Sequence, residues 1–444
     1  MKQEIQLSDH FSYSKLIKFI LPSVGMMIFT SIYGVVDGLF VSNFVGKTPF
    51  AAINLVYPLI MILGGFGFMM GTGGTAIVAK TLGLQEKQRA NEYFTFIIIA
   101  TAILGATLGV LGIIFARPVA ILLGAEGQML EYATLYCCIV LLALPFFMLQ
   151  NSFQNFFITA EKPRLALAVT VAAGVTNIVL DALFVAVFDF GLAGAAVATA
   201  ISQVVGGIVP IIYFLSKNTA AIRFVRTRAY WKVLLHTCIN GSSELMSNIS
   251  ASVVTILYNL QLFRFAGENG IAAYGSIMYV SFIFVAIFIG FVIGSSPIVS
   301  YHYGAGNTDE LKNIRKKSLT IVFMTGAAMV FVALLLAWPL CKLFVGYDDE
   351  LFSITLRGFG IFAFSYLVTG FNIFGSSFFT ALNNGLISAI ISFLRTLVFQ
   401  TVSVIILPEI FELDGVWFSI ILAELLSALV TAIFLIAKRK RYNY

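Results

Sequence analysis

The sequence predicts an all-α polytopic membrane protein, with about twelve transmembrane helices in two six-helix lobes related by a pseudo-two-fold axis along the membrane normal. Three observations support this prediction. First, 59% of the 444 residues are hydrophobic and only 11% are charged, whereas soluble domains carry about 25% charged residues. Second, the apolar residues are gathered into twelve long runs. Third, the two halves of the chain repeat a common pattern.

The twelve apolar runs are each long enough to cross the membrane as a helix. At 1.5 Å per residue, about 20 residues span the hydrocarbon core of roughly 30 Å. An even number of crossings puts both chain termini on the same side. The runs fall at about 14–43, 50–80, 93–115, 128–152, 163–188 and 192–216, then at 231–262, 271–301, 317–337, 351–379, 385–408 and 415–437.

The internal repeat keeps one constant offset of 221 residues. It pairs Ala51-Ala52 with Ala272-Ala273, Pro118 with Pro339, and Thr159-Ala160 with Thr380-Ala381. Each repeat contains six helices, so the two halves enter the membrane in the same orientation. We therefore predict an N-terminal lobe over residues 1–222 and a C-terminal lobe over 223–444, with the working cavity at their interface.

The basic residues indicate the orientation in the membrane. Of the 27 Lys and Arg residues, 21 lie in the loops and tails on one side, including the stretch 217–232 and the run at 438–441. Cytoplasmic loops carry such an excess. The sequence therefore predicts a multi-pass protein of the cytoplasmic (inner) membrane with both termini in the cytoplasm. Because these charges are spread over many loops, nucleic acid is not an expected partner.

Two acids within the first six runs mark a candidate site. Asp37 lies in SIYGVVDGLFVSN, residues 31–43, and Asp181 lies near the end of the fifth run. A carboxylate in hydrocarbon costs roughly 2.5–3.5 kcal/mol on insertion scales. Counted from the predicted helix ends, both lie roughly 10 Å below the outer surface, as does Thr199. Tyr33 and Asn177 lie one turn deeper on the same faces.

This group has two interpretations. Asp37 and Asp181 either accept a proton or an ion such as sodium inside a transporter cavity, or they are structural carboxylates bonded to neighbouring Tyr, Asn and Thr groups. At the repeat offset Asp37 pairs with Tyr258 and Asp181 with Val402. Acids needed only for packing would have partners in both halves, so the asymmetry favours the first interpretation. No other metal site is predicted.

Other polar residues within the runs leave alternatives open. Glu244 is either a second-lobe ion or substrate site or a packing carboxylate. Arg395 and Glu424 are predicted to form a structural ion pair. Pro22 removes a backbone hydrogen bond and should bend the first helix, either as a moving part or as a static kink. No HExxH or GxSxG motif occurs, so neither an enzyme nor a cofactor is expected.

These residues resemble the multidrug and toxic compound extrusion family of secondary transporters. The resemblance rests on the two six-helix halves, on YGVVDGLFVS around Asp37 and on TNIVLDALFV around Asp181. It covers essentially the whole chain and is nearest to the DinF-like branch. In that branch the positions of Pro22, Tyr33, Asp37, Asn177, Asp181 and Thr199 carry a proton- or sodium-linked network.

The resemblance has further implications for the site and its partners. Gln154 falls where the branch has an asparagine, and Glu244 matches an acidic position used for cation binding elsewhere in the family. The acidic partner of that position is replaced here by Asn372. The family implies export of amphipathic, often cationic, compounds by a monomer that opens alternately to the two sides of the bilayer.

Two other classes of membrane protein fit the sequence less well than a carrier. A flippase for lipids or lipid-linked oligosaccharides of related architecture should have a basic cavity for phosphate, and intramembrane Arg and Lys are scarce here. A channel or sensor would need a line of polar residues along several helices. The acids concentrated in one lobe favour a carrier.

Overall fold

The structure is a computed structural model that describes residues 5–40 and 44–444. Lys2 and the end of the stretch 31–43 therefore lie outside the described residues. Within this part of the chain all regular structure is helical. The helices are α1 Tyr13–Phe40, α2 Lys47–Gly83, α3 Lys87–Leu122, α4 Gly127–Leu142, α5 Leu144–Thr159, α6 Pro163–Asp181, α7 Gly191–Leu215, α8 Trp231–Gly304, α9 Thr308–Val345, α10 Asp349–Phe362, α11 Tyr366–Ala381, α12 Gly385–Phe393, α13 Gln400–Ile406, α14 Pro408–Ala437 and α15 Arg439–Tyr442.

The predicted number of membrane crossings agrees with these helices. Ten stretches of the described chain are long and apolar enough to cross a membrane, and the bent pair α4 and α5 makes an eleventh. The 74-residue α8 breaks at Gly267, where φ is 57° and ψ is −143°. Unbroken, it would be roughly 110 Å long, more than three times the hydrocarbon thickness. It therefore supplies two crossings, which brings the total to twelve.

Local sequence explains the breaks within the spans. Glycine adopts a positive φ without a steric penalty, so Gly267 permits the reversal inside α8. Pro145 lies in the first turn of α5, where its missing N–H is tolerated and its ring prevents α4 from continuing. The two helices are bent by 54° at this point. Their apolar composition still makes them a single crossing.

The helices form two lobes. Helices α1–α7 pack mainly among themselves, as do α8–α14, and most contacts between the groups are those of α1 and α2 with α8. The segment between Leu215 and Trp231 contains no helix and connects the lobes.

The lobes meet closely in the half of the molecule that carries the chain termini. A side chain on Gly73 of α2 would overlap the Thr237 carbonyl of α8, and one on Gly304 would overlap the Lys80 carbonyl. The N-terminal segment contacts both lobes on the same side: Leu7 N–H donates to Glu161 Oε1 at 2.7 Å, and Phe11 N–H donates to Glu310 Oε1 at 2.9 Å. This arrangement leaves α1 and α6 to frame the site in the opposite half.

Candidate functional site

The predicted polar cluster lies where α1, α6 and α7 meet. Asp37 is in the last turn of α1, Asn177 and Asp181 end α6, and Thr199 is in the third turn of α7. The structure packs α1 along α6 and α6 along α7. The four residues therefore come from separate parts of the sequence to one end of the first lobe.

A glycine sets the close approach of α1 to α6. A Cβ atom at Gly174 would lie 2.5 Å from Phe29 Cε1 and 3.1 Å from Tyr33 Cδ1, so any larger residue would push α1 away. The rings of Phe29 and Tyr33 pack together here, with centroids 5.9 Å apart. Tyr33 lies one turn before Asp37, and its phenol is within electrostatic range of that carboxylate.

The two aspartates face each other. Their carboxyl groups are near enough to share a hydrogen bond when one of them carries a proton, and Asn177 lies beside Asp37. Asp181 is 0% exposed. It is followed at once by a π-helical turn, Ala182–Val187, an irregularity that occurs frequently at functional sites.

Three of the four carboxyl oxygens have no hydrogen-bond partner among the described residues. Asp37 Oδ1 and both oxygens of Asp181 are buried without a hydrogen bond from any described residue. Among these residues, no Lys, Arg or His makes an ion pair with either aspartate. Burying an unpaired carboxylate is so unfavourable that such a group normally binds a proton or a cation. The geometry is therefore suited to reversible cation binding.

One member of the cluster was missed by the sequence analysis. Tyr136 of α4 is buried, and its hydroxyl faces Thr199 within electrostatic range of both aspartates. The available signal was depth, because Tyr136 lies nine residues into α4 and Thr199 eight residues into α7. A single tyrosine in an apolar run is common, so composition did not distinguish it.

Gln154 lies away from the aspartates. Its side chain is buried on α5 and its Nε2 donates to Thr170 Oγ1 at 3.3 Å. Thr170 precedes Asn177 by two helical turns, roughly 10 Å along α6. The structure therefore brings Asp37, Asn177, Asp181 and Thr199 together and leaves Gln154 outside the group.

Pro22 lies within an unbroken α1, which is assigned as one helix from Tyr13 to Phe40. It is fifteen residues, roughly 22 Å, from Asp37. The adjoining backbone of α1 is pressed against the second lobe, because a Cβ on Gly290 of α8 would lie 2.5 Å from Val24 Cα. One helix thus contacts the aspartate pair at one end and the other lobe near its proline.

The second lobe satisfies its buried acid internally. Glu424 accepts a hydrogen bond from Arg395 Nε at 3.0 Å and forms an ion pair with Arg395 Nη2 at 2.8 Å, as the sequence predicted. Asn372 Nδ2 donates a further hydrogen bond at 2.6 Å. Asn372 therefore binds Glu424 instead of completing a site with Glu244. Glu244 is half-buried on α8, and Arg395 is the charged group whose field reaches it.

Comparison with known proteins decides the family. A protein-family model described as MatE matches residues 22–183 and again residues 245–406, which together make up most of the chain. The chain belongs to the MatE family.

Relatives of this MatE protein are similar over nearly their full length. The protein named Multidrug export protein MepA from Staphylococcus saprophyticus is 26% identical over 442 residues, covering 97% of this chain and 94% of the relative. The protein of the same name from Staphylococcus aureus strain MRSA252 is 25% identical over 437 residues, with the same coverage. These relatives are export proteins, in agreement with the prediction that the chain is not an enzyme.

Solved structures show the same fold. A crystal structure of MATE in complex with MaL6 has a TM-score of 0.94 at 23% identity and covers all of both chains. Another, titled as an outward-facing conformation of a multidrug resistance MATE family transporter of the MOP superfamily, has a TM-score of 0.91 at 23% identity, covering 100% of this chain and 99% of the other. The predicted two-lobe helical fold of this MatE protein is thereby confirmed.

Proposed function

We propose that this protein is a secondary active multidrug exporter that exchanges a proton or a sodium ion for small amphipathic compounds, often cationic. The observation that carries the proposal is the group of three buried carboxyl oxygens on Asp37 and Asp181 that have no partner among the described residues. The names of the relatives, which match 97% of the chain, support the substrate class.

The coupling ion would restore the missing interactions. A proton on one aspartate lets it donate a hydrogen bond to the other, which satisfies two of the buried oxygens in a single step. A sodium ion would instead take its oxygen ligands from both carboxylates, with the Asn177 amide and the Thr199 hydroxyl nearby. Both loadings remove negative charge from the pair, and with it the cost of burying unpaired carboxylates.

Substrate and coupling ion would compete through charge. The unloaded pair is anionic and attracts an organic cation into the cavity between the lobes, whereas the loaded pair does not. Loading from outside therefore releases the cation outward. Since this competition is electrostatic, substrate and ion do not need to share any atom of the site.

Two tyrosines provide a suitable wall for flat cations. Tyr57 of α2 and Tyr279 of α8 come from different lobes, each is about half exposed, and each is within electrostatic range of the other. Tyr57 is also within range of Asp37. Aromatic faces attract cations, with energies of roughly 0.5–2 kcal/mol. We assign these rings to the substrate-facing surface.

Helix α1 would connect ion binding at the aspartates with a movement at the interface between the lobes. Asp37 ends it, Pro22 removes one of its backbone hydrogen bonds, and its next turn packs against Gly290 of the second lobe. A bend at Pro22 alters the contact with α8, because the two backbones touch there. Binding of the coupling ion and opening of the cavity are then coupled through a single helix.

The driving force is sufficient for concentrative export. One charge moving across the membrane gains about 2.3 kcal/mol per 100 mV, and each unit of pH difference adds about 1.4 kcal/mol for a proton. At about 100 mV and about one pH unit, one proton supports a concentration ratio of several hundred for an uncharged compound. Exchange for a monovalent cation moves no net charge, so the pH term alone then supports a ratio of about ten for each proton. We place the protein in the cytoplasmic membrane, with both termini inside, a C-terminal lobe from residue 223 and a monomeric working unit.

The proposal is tested by export of a fluorescent organic cation, such as ethidium, from proteoliposomes in which the proton and sodium gradients are imposed separately. Asp37→Asn and Asp181→Asn each remove an acid, and we expect each to abolish gradient-driven export. Asp309→Asn, which changes an exposed acid at the start of α9, is the matched control and should export normally. Undiminished export by both site variants at equal reconstitution would reject the proposal, and the gradient that is required identifies the ion.

A further inference from the structure

The connector between the lobes, residues 216–230, contains no helix and lies against the first lobe, where Ala221 N–H donates to the Ala160 carbonyl at 3.3 Å. Its apolar side chains point inward. Ile222 is fully buried, and the ring of Phe224 stacks on Phe94 of α3 with centroids 5.0 Å apart and an interplanar angle of 17°. The connector is therefore a fixed part of the surface.

Hydrogen bonds to the first turns of α3 fix its register. Arg223 N–H donates to Asn91 Oδ1 at 3.0 Å, and Val225 N–H donates to Thr95 Oγ1 at 3.1 Å. Thr227 Oγ1 donates to the Glu92 carbonyl at 2.9 Å. Between these anchored residues, the side chains of Arg223, Arg226 and Arg228 are exposed.

The exposed side of the connector carries an excess of positive charge. Three exposed arginines are flanked by two exposed lysines, and none of the five makes an ion pair with a described residue: Lys217, Arg223, Arg226, Arg228 and Lys232. The two neighbouring acids are already engaged, because Glu86 pairs with Arg89 at 2.6 Å and Glu92 accepts a hydrogen bond from the Tyr230 hydroxyl.

The connector lies where two spans leave the membrane. Leu215 at the end of α7 is 69% exposed, Trp231 at the start of α8 is 71% exposed and Leu235 one turn later is 60% exposed. Apolar residues so exposed at the ends of membrane helices face lipid, and tryptophan is enriched at the interface between the hydrocarbon and the headgroups. The basic side chains are therefore held at the depth of the headgroups.

We propose that residues 217–232 form a binding surface for anionic phospholipid headgroups in the leaflet on the side of the termini. Arginine presents paired N–H donors that match phosphate oxygens. Arg223, Arg226 and Arg228 lie exposed within six residues of the chain, so the surface can bind more than one phosphate. The favourable charge interaction near a membrane surface is worth roughly a fivefold gain in affinity for each basic residue.

This surface is independent of the proposed transport function, because it depends only on the membrane fold. Its bound lipid would hold the connector and α3 of the first lobe at the bilayer surface. The second lobe, whose first helix begins at Trp231, would then move relative to an anchored first lobe.

The test uses Trp231 as the reporter in full-length protein carrying Trp338→Phe, which leaves only the buried Trp417 as background. Tryptophan quenching is measured in bilayers of phosphatidylcholine with equal small fractions of brominated phosphatidylglycerol or brominated phosphatidylcholine. We expect several-fold stronger quenching by the anionic lipid. Replacing Arg223, Arg226 and Arg228 with Gln should bring the ratio of the two quenching constants close to one.

The matched control replaces Lys438, Arg439 and Lys440 with Gln, which removes the same charge from the C-terminal tail on the same side of the molecule. We expect it to leave the ratio unchanged. A ratio near one in the parent protein overturns the proposal, as does an equal loss in both triple variants, which would indicate general charge attraction. Size-exclusion profiles matching the parent establish that each variant is folded.

Discussion

Two buried carboxylates differ in whether the protein supplies them with hydrogen-bond donors. Glu424 and Asp181 are both almost completely buried. Glu424 has Arg395 and Asn372 as donors, whereas the oxygens of Asp181 have none among the described residues. The first acid is stabilised by the protein itself, whereas the second is one of the two that we propose to bind the coupling ion.

This contrast predicts the effect of removing Arg395. Arg395→Gln leaves the Glu424 carboxylate buried without a counter-ion, and breaking such a pair costs about 3–5 kcal/mol. We expect the purified protein to unfold at a clearly lower temperature in a thermal melt. The double variant Arg395→Gln, Glu424→Gln removes both charges and should recover part of the loss. A single variant that melts like the parent would show that the pair is not structural.

Tyr136 provides a second prediction. Tyr136→Phe removes the hydroxyl facing Thr199 and leaves the ring in place. The hydroxyl lies within electrostatic range of both aspartates, and the loss of a polar interaction of about 1 kcal/mol would weaken ion binding roughly fivefold. The measurement is the external ion concentration that gives half-maximal export. Tyr132→Phe, one turn away on the same helix, is the control, and equal shifts in the two variants would contradict a specific role for Tyr136.

Among single residues, the sequence predicted the charged members of the candidate site better than the neutral ones. Asp37 and Asp181 stand out because acids are rare in apolar runs, and Asn177 and Thr199 followed from their depth. Tyr136 carries no such signal, since its role depends on a neighbour on another helix. Gln154 was placed by resemblance, and its contact with Thr170 depends on how α5 packs on α6, which no residue type encodes.

At the scale of the helix, the closest contacts between the lobes occur at glycines. The backbones of α2 and α8 touch because Gly73 and Gly241 have no side chains: a Cβ on either would overlap a backbone carbonyl of the other helix. These are contacts between lobes, so they must separate if the cavity opens to the side of the termini. Glycine therefore stabilises one end state of the proposed cycle.

Gly73→Ala should disfavour the closed interface on the terminal side. We expect slower export and increased labelling of a cysteine at position 237 by a soluble maleimide, in a background where the four native cysteines are replaced by Ala. Gly275→Ala on α8 is the matched control, because no atom lies within 4 Å of its Cβ position. The same labelling in both variants would show that this contact does not hold the lobes together.

The sequence predicted the helical spans well and their irregularities poorly. Runs of twenty apolar residues identify membrane helices by composition alone. The bend between α4 and α5 follows from Pro145, whereas the π-helical turns at Ala182–Val187 and Leu394–Phe399 depend on packing between helices. Hydrophobic periodicity records neither. The irregular turns nevertheless lie next to Asp181 and include Arg395.

At the scale of the molecule, the described contacts define a bundle of two lobes joined most tightly on the side of the chain termini. The repeat offset and the even number of spans in each half were sufficient to predict this architecture, because both constrain orientation in the bilayer. The conformation that the lobes adopt was not predictable, since one sequence must support every state of a transport cycle.

The predicted orientation is testable by labelling. Glu126 is exposed between α3 and α4, and Lys440 is exposed near the C-terminus on the opposite side. In a background without native cysteines, we expect Glu126→Cys to react with a membrane-impermeant maleimide on intact cells, and Lys440→Cys to react only after lysis. The reverse pattern would place the termini outside and contradict the distribution of basic residues.

The central claim is that the Asp37 and Asp181 pair holds the coupling ion and releases it when substrate binds. The most direct measurement is ion release from purified protein on addition of a saturating organic cation, followed with a pH indicator in weakly buffered solution and with radioactive sodium. We predict release of a proton or a sodium ion from the parent protein, and none from the variant with Asn at both positions. Equal release from the two proteins would contradict the claim.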